Sequence, residues 1–536
     1  MVSAEWSGAF GLRVLGALAL VALAGFGALG AVPGPASGLP TELAGGSGAS
    51  GAAVDARTAP SGAKERAAAR GLQDTGLAQA AGKAGAGPSA DATALDGETA
   101  LDEETAPLDA TALLDATALL EALRTRHDLP ALAAVVVTRD GVWAEGYAGV
   151  AELGTERPVG PESRFHLGSC TKAMTATLAA LAVERGELAW DTTLGEVFGE
   201  RLELPVWHGV TLAQLLAHTS GAPRDLLAFP GVDLWLRFAE DSLRDKRLRV
   251  VELVGAREPD YPPGSEARYS NVGYMLAGAM LEARADEGYE ELLTARLFAP
   301  LGMDSAGFGP PDPEAHPVGH TQSGSPRPSL DNPAALGPAG TAHASLRDWG
   351  KFVQLHLLGL GPGAEQGDSG TAAGAGERAD GTSQGGAAAP EPTTPDAELL
   401  LPPVRFAELH TVQPNTDALG GYALGWLKAD LAWSAGPLST HAGSNTVWFC
   451  TVWLAPAEGF AVLVATNQAH ASASDACTEA TALLALGFLE GALPEAAPET
   501  LAEVLDLRAR FMAPPEEPEE GVDAPMPEAG APADDR

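Results

Sequence analysis

One serine and one lysine stand where acyl transfer would need them. The stretch "FHLGSCTKAMTATLAALAVERGEL", residues 165–188, places Ser169 three positions before Lys172 at the head of an apolar run. On a helix, residues three apart share a face with Cβ atoms about 5–6 Å apart, so hydroxyl and amine can meet at the N-terminus. A serine hydroxyl is a poor nucleophile until a base takes its proton. A lysine amine serves as that base once desolvation or a neighbouring cation lowers its pKa. The free N–H groups of a first turn favour a developing oxyanion. Taken alone, the pair reads more simply as a serine N-cap followed by a surface lysine.

Two further stretches change that balance. "PPGSEARYSNVGYMLAG" puts Tyr269 and Asn271 between a Pro-Pro-Gly turn and an apolar helix, and "STHAGSNTVW" puts His441, Gly443 and Ser444 immediately before a strand. Two other serines sit in more familiar signatures. Ser383 lies in "GTSQG", but the strand-to-helix elbow that makes G-x-S-x-G work is missing around it. Ser369 lies in "GDSG", with no β-barrel pattern nearby. Both fall in Gly/Ser-rich, low-complexity sequence and are set aside.

In this order, S-x-x-K at Ser169, Y-x-N at Tyr269 and H-x-G at His441, the chain resembles the serine β-lactamase and penicillin-binding-protein superfamily. It is most similar to class C β-lactamases and their esterase and D-amino-acid peptidase relatives. The stretches "VTLAQLLAHTSGAP", "LFAPLGMDSAGFG", "PAGTAHASLRDWGKF" and "GGYALGW" match as well, over about residues 110–490. The resemblance implies a β-lactamase/transpeptidase-like fold and an acyl-enzyme on Ser169. Lys172 and Tyr269 would share the acid and base work, and Asn271 would orient Lys172 and bind substrate. The backbone N–H groups of Ser169 and Ser444 would form the oxyanion hole, beside Gly443. Class C β-lactamases carry lysine where this chain has His441. A mostly neutral histidine offering directional hydrogen bonds to substrate suits an ester, amide or D-amino-acid peptide better than a carboxylate-bearing β-lactam. The expectation is a serine hydrolase of esterase, D-amino-acid peptidase or carboxypeptidase type. The alternatives are β-lactamase activity or a non-catalytic penicillin-binding-like receptor for cell-wall ligands.

The elements that must position these residues are legible in outline. Leucines at helical spacing predict a helix over 109–126. "LPALAAVVVTRDGVWAEGYAGVAE" reads as a hairpin around Arg139-Asp140-Gly141, "TVWFCTVWLAPAEGFAVLVATN" as two more strands, and "CTEATALLALGFLEGAL" as a closing helix. An α/β (α+β) fold follows, with an antiparallel sheet completed by both chain ends, helices on its faces and a mainly helical lobe inserted between. The hydrolase domain is expected over 109–512.

The rest of the 536 residues carries little apolar periodicity. Residues 32–108, an insert at 361–398 and an acidic tail at 513–536 read as disordered, because they cannot bury enough surface to offset the entropy of ordering. The formal charge of −38 disfavours nucleic acid as a partner. At the N-terminus, Arg13 precedes an apolar run from Val14 to about Gly30. Residues 1–31 are therefore read as a signal peptide or an N-terminal membrane anchor, and the folded part as exported. Of the three cysteines, Cys450 and Cys477 could pair in an oxidising compartment, and Cys170 reads as a buried small residue. No metal-ligand spacing such as CxxC or HExxH occurs, so neither metal nor other cofactor is expected.

Overall fold

The computed structural model describes residues 113–361, 399–494 and 496–515. The leader and linker read over 1–31 and 32–108, nearly all of the 361–398 insert with Ser369 and Ser383, and the tail beyond 515 lie outside the described residues.

The described residues open with β1 (Leu114–Asp115), α1 (Thr117–Arg126), β2 (Ala131–Thr138), β3 (Gly141–Gly149) and β4 (Arg164–His166). The main helices of the middle are α2 (Thr171–Glu184), α3 (Leu243–Gly255) and α4 (Asn271–Ala285), followed by β5 (Gly307–Phe308), β6 (Ala342–Ser345) and α5 (Leu346–Leu360). The described residues close with β7 (Leu427–Ala429), β8 (Leu438–Ser444), β9 (Phe449–Ala455), β10 (Phe460–Thr466), α6 (Ala471–Glu490) and α7 (Leu501–Phe511).

Strands from both ends build one seven-stranded sheet, ordered β1-β3-β2-β10-β9-β8-β7. The expected hairpin is β2–β3, and β10 lies between β2 and β9, with Val464 opposite Ala134 and Thr451. One expectation needs correction. The first helix starts at Thr117, because Leu114 and Asp115 pair in parallel with Ala144 and Glu145. The Ala116 N–H donates to Glu145 O at 2.7 Å, and Asp115 Oδ1 accepts from the Thr117 N–H at 2.9 Å. That short parallel pair makes the sheet mixed, while every other pairing in it is antiparallel.

Successive side chains on a strand face opposite ways. On β2, Ala133, Val135 and Val137 enter the core under α5, whereas Leu132, Ala134 and Val136 enter the one under α1, α6 and α7. A strand covered on both faces must be apolar throughout, which is why "ALAAVVV" shows no alternation.

The inserted lobe carries the site. Residues 171–182 of α2 are all buried, as are residues 272–282 of α4, so both helices are enclosed rather than amphipathic. A buried ion pair ties α4 to α3. Arg247 is wholly buried and donates from Nε to Glu282 Oε1 at 3.1 Å and from Nη2 to Glu290 Oε2 at 2.8 Å. Removing Glu282 leaves the buried guanidinium only the partly exposed Glu290 as an anionic partner. Glu282→Ala is expected to cost about 3–5 kcal/mol of unfolding free energy in urea titration; a change within about ±0.5 kcal/mol, the range of an ordinary surface substitution, would show that the pair does not hold the lobe.

Candidate active site

Between β4 and α2 the chain makes one 3₁₀ turn, Gly168–Cys170, which carries Ser169. The N-cap reading of Ser169 fails, since neither this turn nor α2 has a side-chain cap. Two glycines bring this turn against the end of β8. Gly168 has φ +48°, and a β-carbon there would lie 2.4 Å from Ser444 N. A β-carbon on Gly443 would lie 2.0 Å from Leu167 O and 3.0 Å from Ser169 N. The backbone nitrogens of Ser169 and Ser444 therefore border one tightly packed joint, which only glycine at both positions permits.

Lys172 is no surface lysine. It is completely buried, and its Nζ donates to Ala339 O at 2.6 Å and to Asn271 Oδ1 at 2.8 Å, with Ser169 Oγ at 3.2 Å. Burial pushes its pKa well below the usual lysine range. A neutral amine has two N–H groups and one lone pair. The two short bonds use both N–H groups, which leaves the lone pair for the Ser169 hydroxyl. Asn271 opens α4 and is held there by its neighbours. The Ser270 hydroxyl accepts from the Gly273 N–H at 2.8 Å and donates to Pro223 O at 2.7 Å, and the Asn271 N–H donates to Arg224 O at 2.8 Å.

Tyr269 lies beside this pair, with Lys172 Nζ 4.7 Å from its ring centroid. Its hydroxyl is buried without an aligned protein hydrogen bond, although Ser169 is close enough to favour the phenolate somewhat. Desolvation dominates and raises its pKa. The two groups are thus driven apart, the lysine toward the free amine and the tyrosine toward the protonated phenol.

His441, expected to offer hydrogen bonds to substrate, does not line the pocket at Ser169. Its side chain is fully buried behind the pocket wall, with Nε2 3.1 Å from the Tyr422 hydroxyl and Nδ1 2.7 Å from Ala442 O. Burial above all lowers its pKa to about 3. It adds a neutral imidazole to the buried core around Lys172. His218, in the stretch "LLAHTSGAP", belongs to the same core and had no role assigned from sequence. It accepts the Ser270 N–H at Nδ1, 3.1 Å, and packs at a tilt with its centroid 4.4 Å from that of the Tyr269 ring and 4.6 Å from that of Tyr422. Its φ of +63° is uncommon for a residue with a β-carbon. The three cysteines are free and buried, and the thiol nearest Cys450 is Cys170, at 3.6 Å.

Ser169, Tyr269, Asn271 and Ser444 open on a pocket of about 420 Å³. Leu226, Leu227, Leu330 and Leu336 supply an apolar wall. The charged lining residues are Asp225 and the Asp233–Arg237 pair, joined at 2.9 Å.

The beta-lactamase family model matches residues 116–486, well over half the chain. The chain belongs to the beta-lactamase family. It is 31% identical to penicillin-binding protein 4 of Amycolatopsis lactamdurans, over 44% of this chain and 61% of that protein. To the unguisins hydrolase ungD' of Aspergillus campestris it is 28% identical, over 43% of this chain and 45% of the relative. The matches thus span about half the length of these curated relatives. The octameric penicillin-binding protein homologue from Pyrococcus abyssi superposes with a TM-score of 0.51 at 20% identity, over 70% of this chain and 76% of that one, a likeness of fold.

In this beta-lactamase-family site, a lysine with two committed donors has a measurable signature. NMR of ¹³C-labelled lysines should show Lys172 titrating below all surface lysines and below the usual value near 10.4. A titration at or above that value would remove its candidacy as a base.

Proposed function

We propose that the chain is a serine hydrolase that works through an acyl-enzyme on Ser169, with an ester or an amide of D-amino-acid type as substrate. The observation that carries this is the Lys172 amine, held by Ala339 O and Asn271 Oδ1 so that its third direction faces Ser169 Oγ. Ser169 Oγ bonds to the substrate carbonyl carbon as its proton passes to Lys172. The carbonyl oxygen takes the negative charge between the N–H groups of Ser169 and Ser444. As the bond to the leaving group breaks, Tyr269 protonates that group, and the proton on Lys172 restores the phenol. Water then attacks the acyl-enzyme by the reverse route, releasing the acid and free Ser169.

The pocket also bears on the substrate. Arg237 is the cation among its described lining residues, and it is committed to Asp233 and to Asp331 O, the latter at 2.7 Å. With Asp225 added, the lining favours a neutral or cationic group with an apolar portion over a free carboxylate. These lining charges carry the preference, since His441 is not among the pocket's lining residues. Relatives named as a hydrolase of unguisins and as a D-alanyl-D-alanine carboxypeptidase and endopeptidase are compatible with amide chemistry. The reading over residues 1–31 supports export of the enzyme, either released or anchored, with residues 109–512 as its catalytic domain.

Side-by-side assays should show turnover of p-nitrophenyl esters and D-amino-acid amides, with Ser169→Ala about 10³-fold or more slower. Rapid turnover of a chromogenic cephalosporin, with neither of the others hydrolysed, would overturn the substrate reading. The pH profile separates the two candidate bases. With neutral Lys172 as base, the rate rises through that lowered pKa and levels off below the range in which a tyrosine ionises. With a Tyr269 phenolate as base, the rate would still be climbing there, because the tyrosine pKa is raised.

A further inference from the structure

His166 closes β4 two residues before Gly168. Its side chain is 1% exposed and does not reach the pocket. The Gly168 N–H donates to its Nδ1 at 3.1 Å, so the ring proton lies on Nε2. Nε2 sits 2.9 Å from Asp331 Oδ1, a close electrostatic contact that lies off the line of an aligned hydrogen bond. The same Asp331 oxygen accepts from Asn445 Nδ2 at 3.0 Å and from the Asn332 N–H at 2.7 Å. Asn445 directly follows Ser444.

We infer that His166 and Asp331 are positioning residues, a bridge that sets the spacing of the two oxyanion donors, the N–H groups of Ser169 and Ser444. The inference rests on the acyl-enzyme reading and adds to it. The two donors come from segments some 275 residues apart in sequence, and the packing of Gly443 against Leu167 and Ser169 fixes only how close they approach. The bridge fixes orientation. One end grips the N–H of Gly168, one residue before the Ser169 donor, and the other grips the side chain of Asn445, one residue after the Ser444 donor. A displacement of even a fraction of an ångström matters for donors aimed at a developing charge. The bland reading makes His166 a satisfied core histidine whose loss is felt only as stability.

The two readings differ in coupling. Labelling by a small fluorophosphonate, which reacts at the serine without filling the pocket, measures the site directly. His166→Phe is expected to slow labelling about 30- to 100-fold, and Asn445→Ala about 10-fold. The double variant should be no slower than His166→Phe alone, because both break one bridge. His166→Asn, which returns an acceptor near the Nδ1 position, should recover part of the loss. Asp331→Asn serves if His166→Phe does not fold, with an expected loss of several-fold. Hydrogen exchange supplies a readout that needs no activity. In His166→Phe, peptides covering 165–170 and 443–447 should exchange faster, while those of β2 and β10 should not change. Independent, multiplicative losses, or wild-type labelling with unchanged exchange, would refute the bridge. A folded wild type that takes no label would instead refute the acyl-enzyme reading, and the exchange data would still decide the bridge.

Discussion

The burial of one amine organises the site. Lys172 sits at zero exposure among Ala339 O, Asn271 Oδ1 and Ser169 Oγ, and each partner comes from a different segment of the chain. A charged ammonium there would carry a desolvation cost of several kcal/mol, whereas a neutral amine is satisfied by the two acceptors. The surroundings keep that balance. His218 and His441 are themselves held neutral by burial, and the tyrosines at 269, 274 and 422 stay protonated for the same reason. The lysine thus has no carboxylate partner among the described residues of its core to hold it charged.

The second constraint is geometric. The proposed acyl transfer needs donors aimed at an oxygen beside the nucleophile, and the two candidate donors, the N–H groups of Ser169 and Ser444, come from segments far apart in sequence. The fold achieves this by completing its sheet with both termini and by inserting the helical lobe between β4 and β7. Two glycines then allow the nucleophile turn and the end of β8 to touch. The sheet is the frame, the lobe delivers Lys172, Tyr269 and Asn271, and the joint delivers the two backbone nitrogens.

Much of this was legible before any coordinates. The β2–β3 hairpin, the strand pair β9–β10 and the apolar helices α2 and α4 follow from local pattern alone. Ser169 and Lys172 are singled out by their spacing, Tyr269 and Asn271 by the family resemblance, and the structure brings all four together with Ser444. What could not be read depends on long-range contacts. The break at Thr117 comes from pairing with Ala144 and Glu145, which no local helical periodicity reports. The burial of His441 depends on Tyr422, and the use of His166 depends on a loop at 331. In each case the residue was visible, but the direction of its side chain was not.

The proposed chemistry turns on Ser169 itself becoming acylated, at Oγ, beside the buried Cys170. Trypsin cleavage after Arg164 and Lys172 isolates the peptide "FHLGSCTK", residues 165–172. Acid quenching during turnover of a p-nitrophenyl ester, followed by tandem mass spectrometry of that peptide, should place the acyl group on Ser169. An acyl group on Cys170, or an unmodified peptide while ester is consumed at steady state with acylation faster than deacylation, would contradict the account.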